Sequence, residues 1–211
     1  MAAKDSQDLR PWTAWQEDLR LREPASMQRL RREHAQRISY SVFLQFLVRT
    51  QWDALRKEAA GLGIGIIGDL PIFVALDSAD CWARPELFQL DSWRKPRAVA
   101  GVPPDYFSDT GQLWGNPLYD WQRMAEDDFA WWVDVIRGRM ATCDLLRIDH
   151  FRGFAGYWSI PADAENAIDG EWKPAPGHKL FSTVARKVPQ ARIIAEDLGV
   201  ITPDVVELIR S

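Results

Sequence analysis

The strongest periodic signal lies at residues 40–62. Tyr40, Leu44, Val48, Trp52, Leu55, Ala59 and Leu62 recur every three or four positions, while Arg49, Asp53, Arg56 and Lys57 take other faces. That spacing predicts an amphipathic helix, ended by Gly61 and Gly63. The apolar run 64–67 follows directly and predicts a buried strand with Asp69 at its exit, in Gly68-Asp69-Leu70-Pro71. A second helix is predicted over 129–140. A second buried strand over 143–148 opens onto Asp149-His150-Phe151-Arg152-Gly153. A third, over 193–195, opens onto Glu196-Asp197-Leu198-Gly199. Thr202 then suits an N-cap and Pro203 the first position of a last helix carrying Val205, Val206, Leu208 and Ile209. Residues 11–32 are charged and broken at Pro24, and predict irregular segments and short helices. Residues 77–121, rich in Pro, Gly and Trp, predict a long loop region; a loop of that length is functional or disordered, and its aromatics favour function. The order of elements predicts a parallel α/β fold without short internal repeats.

Charge narrows the partners. The chain carries 26 Lys and Arg against 30 Asp and Glu, a net charge of -4, which argues against a nucleic-acid or anionic-membrane partner. The first ten residues hold Lys4 and Asp5 and lack the apolar core of a signal peptide. No uncharged stretch approaches the roughly 20 residues of a bilayer span. Cys81 and Cys143 form no CxxC pair, so a reducing, cytoplasmic setting is expected. No HExxH, HxH or acidic cluster argues for a metal, and no cofactor is expected. Gly63-Ile64-Gly65-Ile66-Ile67-Gly68 satisfies GxGxxG, but a helix precedes it and Leu70-Pro71 follows, the reverse of a dinucleotide site's context. Eleven tryptophans remain to be explained. Most suit a core; some suit sugars, whose C–H faces pack on indole while their hydroxyls need polar edges.

The three predicted strands each deliver a carboxylate where strand gives way to loop: Asp69, Asp149 and Glu196. In parallel α/β barrels the active site lies at those strand ends. Arg147 and Asp149, two apart on a strand, share a face, and a guanidinium favours an ionised neighbour. Glu196 ends the apolar run Ile193-Ile194-Ala195, and an apolar setting favours a protonated carboxyl. One anionic and one protonated carboxyl is the pair a retaining glycosidase needs. A structural Arg–Asp ion pair closing a strand, with Glu196 on a solvent-facing loop, fits the same spacing equally well.

The segments GIIGDLPIFVALDSADCWA (65–83), VAGVPPDYFSDTGQLWGNPLYDW (99–121), LLRIDHFRGF (145–154) and IIAEDLGVITPDV (193–205) resemble, in wording, order and spacing, the signature stretches of 4-alpha-glucanotransferases (amylomaltases) of the α-amylase clan. The resemblance runs over nearly the whole chain. It implies a (β/α)8 barrel with loop insertions, of which residues 1–211 would be a central catalytic part incomplete at both ends. It implies retaining transfer of α-1,4-glucan segments between maltooligosaccharides. By resemblance Asp149 is the nucleophile, Arg147 the residue that orients it, Glu196 the general acid/base and Asp69 a supporting carboxylate. Asp105, Tyr106, Phe107 and Trp114 fall in a loop that covers bound glucan, and His150 is a second-rank binding residue. Ala155, Gly156 and Ala175 depart from the family's usual wording but touch none of these roles.

The family also uses a third carboxylate, in a His-Asp motif that these 211 residues do not contain. The expectation is that the isolated chain is poorly stable and inactive, because a partial barrel leaves strand edges and helix faces uncovered. Two other functions are open to the same residues. An α-glucan hydrolase of the clan would share the carboxylate pair and yield only shorter products. A non-catalytic α-glucan-binding protein would bind amylose without turnover.

Overall fold

The computed structural model describes residues 2–199 and 201–211, and the chain divides into two compact units, Met1–Ile64 and Gly65–Ser211. The first is helical: α1 (Ala2–Asp5), α2 (Glu17–Arg20), α3 (Pro24–Glu33) and α4 (Ala35–Gly61), with a 3-10 turn at Trp12–Ala14. Pro24 starts α3 rather than breaking a helix, because the first turn needs no donor there. Ser26 and Arg29 on α3 both donate to the Asp18 carboxylate of α2, at 2.6 and 2.8 Å. The long predicted helix is present as α4, five residues longer at its start. None of its residues is buried, and Tyr40, Val42, Phe46 and Val48 are each more than 60% exposed.

The second unit runs β1 (Ile67–Pro71), α5 (Ala79–Ala83), β2 (Ala98–Val102), β3 (Gln112–Pro117), α6 (Trp121–Glu126), α7 (Ala130–Met140), β4 (Leu145–Asp149), β5 (Gly156–Pro161), β6 (Glu171–Pro174), α8 (Gly177–Lys187), β7 (Ile193–Ala195) and α9 (Pro203–Arg210). It is a mixed α/β fold with two sheets. In the first, β1, β4 and β7 lie parallel in that order, with Asp69 opposite Arg147 and Arg147 opposite Ile194. The second is antiparallel, in the order β3-β2-β5-β6. No helix among the described residues is long and apolar enough to cross a membrane.

The first strand differs from its sequence reading. The apolar run 64–67 is not a buried strand. Ile64 and Ile67 are 57% and 61% exposed, and β1 begins only at Ile67. Asp69 is therefore inside the strand rather than past its end. The start is set by Asp144, whose Oδ2 accepts from Ile66 N–H at 2.7 Å while Ile66 C=O accepts from Asp144 N–H at 2.8 Å. Only the central strand, β4, is buried as expected, with Leu146 and Ile148 fully enclosed. The stretch 77–121 is also more regular than its composition suggests, since it holds α5, β2 and β3.

An aromatic cluster fixes the loops behind the strand ends. The Tyr119 ring packs on Trp132 of α7 (5.5 Å between centroids), Trp132 on Phe154 (5.0 Å), and Phe154 on Phe181 of α8 (5.1 Å). The Tyr119 hydroxyl donates to Ile72 C=O, just past β1, at 2.7 Å. Burial of the ring raises that phenol well above its ordinary pKa, so it stays a donor.

Candidate functional site

Arg147, in the middle of β4, is the hub of the strand ends. Its Nη1 donates to Asp69 Oδ1 at 2.6 Å and its Nη2 to Asp149 Oδ1 at 2.7 Å. The same Nη2 lies 3.7 Å from Glu196 Oε1. Parallel registration delivers these contacts: Asp69 faces Arg147 across the β1–β4 ladder, and Asp149 is two residues further on the same side. The two hydrogen bonds, Asp69 first and Asp149 second, raise the guanidinium pKa further above its ordinary value. Asp149 and Glu196 are thus both within reach of one cation, as the strand ends suggested, and Asp69 completes the set from inside β1.

Glu196 is the most enclosed of the three carboxylates, with its side chain 14% exposed against 44% for Asp149 and 57% for Asp69. Its other oxygen, Oε2, accepts from the backbone N–H of His150 at 2.8 Å, and its own N–H donates to Ile148 C=O at 3.0 Å. The second bond continues the β4–β7 ladder one residue past β7, which places Glu196 beside the end of β4.

His150 can present its amide this way because its backbone is left-handed, with φ 52°. The turn is tight. A Cβ on Gly153 would stand 2.6 Å from Ile72 Cδ1 and 3.3 Å from His150 Cδ2, so any side chain there would have to push the buried Ile72 aside. Burial pulls the His150 imidazole pKa down to about 4, with the charge of Arg152 acting in the same direction and Asp149 opposing it. His150 is therefore neutral near pH 7.

A cleft of about 680 Å³ opens beside Glu196 and His150. Asp105, Tyr106, Phe107 and Trp114 line it, so the aromatic residues singled out in the sequence converge on Glu196 and His150. Tyr106 and Phe107 are 95% and 90% exposed at the tip of a loop. Asp105 Oδ1 holds that loop by accepting from Phe107 N–H at 2.9 Å and Ser108 N–H at 3.0 Å. Trp114 meets the His150 ring edge-on at 4.8 Å. The cleft thus pairs a titratable carboxyl and a neutral imidazole with aromatic faces, which suits a polyhydroxylated ligand.

Among the lining residues that sequence reasoning missed are Arg152 and Trp172. The Arg152 guanidinium is buried and lies 3.9 Å above the centre of the Trp172 ring. Burial lowers its pKa, and Asp204 opposes that shift. Arg152 stands inside the LLRIDHFRGF segment, but only the placement of β6 reveals its stacking partner. Among the described residues no group of three or more His, Cys, Asp or Glu side chains is placed to hold a metal ion.

Comparison with known proteins now bears on this geometry. The family model described as 4-alpha-glucanotransferase matches residues 1–211. A 4-alpha-glucanotransferase of Thermus thermophilus is 48% identical over 97% of this chain and 41% of its own length. A chloroplastic/amyloplastic 4-alpha-glucanotransferase of Arabidopsis thaliana is 46% identical over 95% of this chain and 35% of its own. The solved amylomaltase of Streptococcus agalactiae, in complex with acarbose, superposes with a TM-score of 0.95 at 43% identity, covering 100% of this chain and 43% of that one. The chain spans about two-fifths of the length of these bacterial relatives.

Proposed function

The chain belongs to the 4-alpha-glucanotransferase family, and on that premise we propose that the complete protein of which it forms a part transfers α-1,4-glucan segments between maltooligosaccharides. We infer further that β1, β4 and β7 are consecutive strands of a (β/α)8 barrel, and that the reaction retains configuration through a covalent intermediate. Asp149 is the nucleophile, Glu196 the acid and then the base, Arg147 the residue that orients both, and Asp69 its support. Asp105, Tyr106, Phe107, Trp114 and His150 bind sugar in the cleft, and within 77–121 it is the part from Val102 to Trp114 that covers it. The reduced, buried Cys81 and Cys143 suit a cytoplasmic enzyme.

One observation carries the mechanism. Arg147 Nη2 reaches Asp149 Oδ1 at 2.7 Å and Glu196 Oε1 at 3.7 Å. The two oxygens can stand no farther apart than those distances combined. That bound accommodates the roughly 5–5.5 Å of a retaining pair, which supports the retaining reading.

The steps follow from the chemistry of such a pair. Glu196 gives its proton to the glycosidic oxygen as the anomeric C–O bond breaks, and Asp149 forms a β-glucosyl ester at that carbon. The 4-hydroxyl of an acceptor sugar then attacks the same carbon, its proton passing to Glu196 and the ester bond breaking. Two inversions return an α-1,4 link. His150, neutral near pH 7, can give and take hydrogen bonds from sugar hydroxyls without competing for the acid's proton.

Maltotriose separates the possible outcomes for the complete protein. Products both longer and shorter than three sugars support transfer, whereas shorter products alone would replace it with hydrolysis. Asp149→Asn is expected to lower turnover at least about a thousandfold, since no other group can form the ester. Survival of activity would reject the nucleophile.

A further inference from the structure

A second cleft, of about 370 Å³, lies away from the carboxylates. Tyr157 and Trp158 are neighbours on β5, so their side chains leave opposite faces of the antiparallel sheet. Trp158 packs on Trp172, whose ring lines the catalytic cleft, with centroids 5.3 Å apart. Tyr157 instead lines the second cleft, with Gln89, Arg97, Asp120 and Trp121. The two clefts therefore belong to opposite faces of one sheet.

We propose that this second cleft, together with the exposed indole of Trp93, is a site that holds a distant stretch of an α-1,4-glucan chain. The proposal rests on the function inferred above and deepens it. Tyr157 and Gln89 are fixed in place: Gln89 Nε2 donates to Tyr119 C=O at 2.9 Å and to the Tyr157 hydroxyl at 3.2 Å. Trp121, half-buried, is held by Tyr119 and Phe154 at 5.1 and 6.1 Å between centroids. Arg97, exposed, makes no ion pair among the described residues. One cation, one carboxylate and two amides, Gln89 and Gln122, beside an indole match the vicinal hydroxyls and C–H face of a neutral sugar. A phosphate or other anion would meet the charges of Asp120 and Glu171, against Arg97 in the lining and Lys173 beside Tyr157, so a neutral ligand fits better.

The cleft continues onto a stiff hairpin. Leu90 and Arg97, both lining the cleft, stand at its base, where Leu90 bridges Pro96 and Arg97 N–H donates to Gln89 C=O at 2.9 Å. Asp91 Oδ1 accepts from both Trp93 N–H and Lys95 N–H at 2.8 Å, and Asp91 N–H donates to Lys95 C=O at 2.8 Å. The Trp93 indole, 63% exposed, is carried on this braced tip. An exposed indole on a braced turn beside a polar cleft offers a second platform, and two platforms select a polymer over a single sugar.

The test is native electrophoresis of the complete protein through gels cast with amylopectin, for the parent, Trp93→Ala and Arg97→Ala. Neither residue touches the catalytic cleft, and both side chains are exposed. Each variant is expected to bind amylopectin about tenfold more weakly, while kcat/KM on maltotriose stays within about twofold. Retardation equal to the parent in both variants would overturn the proposal. So would equal retardation of the parent by dextran, whose links are α-1,6. A parent that leaves maltotriose unchanged yet shows the variant-sensitive retardation would reject the transfer reading and keep the site.

Discussion

The backbone amide of His150 donates a 2.8 Å hydrogen bond to Glu196 Oε2, so the residue after the assigned nucleophile positions the assigned acid. The bond exists only while His150 keeps its left-handed backbone, and Gly153 leaves it the room. Gly153→Ala places a methyl 2.6 Å from Ile72 Cδ1 and 3.3 Å from His150 Cδ2. The expected cost is about 1–3 kcal/mol of stability, the usual range for overpacking. Transfer by the complete protein should fall in kcat more than in KM, because the acid is displaced while the aromatic cleft remains. Unchanged kcat in a folded variant would show that this turn does not control the acid.

Arg147 is a fork that no lysine can copy, since separate nitrogens serve Asp69 and Asp149. Arg147→Lys keeps one charge and gives up one of the two charge-assisted bonds. At roughly 1.5–3 kcal/mol for such a bond, kcat should fall about 10- to 100-fold. Steady-state kinetics on maltotriose checks it, and a lysine variant with parental kcat would mean that charge alone suffices.

The acid/base role can be read separately from the nucleophile's. With an α-maltosyl fluoride donor the leaving group needs no proton, so Glu196→Gln should still form the covalent ester. The acceptor hydroxyl then lacks its base, and the ester should accumulate. Intact-mass spectrometry after brief mixing is expected to show one added maltosyl group. Its absence, with turnover unchanged from the parent, would remove Glu196 from the mechanism.

How far the sequence announces all this depends on which force acts. Local periodicity reports α4, α7, β4 and β7 well, because each has a pattern that its own side chains impose. The start of β1 depends on Asp144, 78 residues from Ile66, and no local pattern carries that. Residues 155–192 carried no sequence expectation, yet they form β5, β6 and α8. Tyr157, Trp158, Trp172 and Lys173 owe their strand geometry to pairing across the sheet rather than to alternation. At the site, Asp69, Arg147, Asp149 and Glu196 are legible because strand ends and a two-residue spacing place them. The Arg152–Trp172 stack is not, since 20 positions of chain and a sheet register separate its halves.

His150 also makes stability depend on pH. Its pKa is about 4 in the fold against 6.5 ordinarily, so as pH falls the unfolded chain binds this proton first. The contribution is intact above pH 6.5, is lost between pH 6.5 and 4, and levels off below; the loss is at most about 3 kcal/mol. His150→Asn removes the titration while keeping a residue that tolerates a left-handed backbone. The difference in unfolding free energy between parent and variant, from urea titrations of the complete protein, should change with pH in that window and be flat above it. A difference that stays flat down to pH 4 would mean that the imidazole is solvated.

The helix α4 sets the behaviour of the 211-residue chain by itself. Val42, Phe46 and Val48 are 63%, 64% and 61% exposed, and none of the 27 residues of α4 is buried. Contiguous apolar surface of this kind marks a contact face or an aggregation risk. Among the described residues β1 and β7 are the edge strands of the parallel sheet, and an edge strand offers its outer backbone groups to another chain. The purified chain is therefore expected to bind an apolar dye strongly, to associate as its concentration rises, and to show no transfer on maltotriose above a blank. Phe46→Lys, placed in the middle of that surface, should weaken both dye binding and association. Light scattering across a hundredfold concentration range decides the matter. A monodisperse monomer with no dye binding would mean that the chain covers this face itself, and the expectation of instability would fall with it.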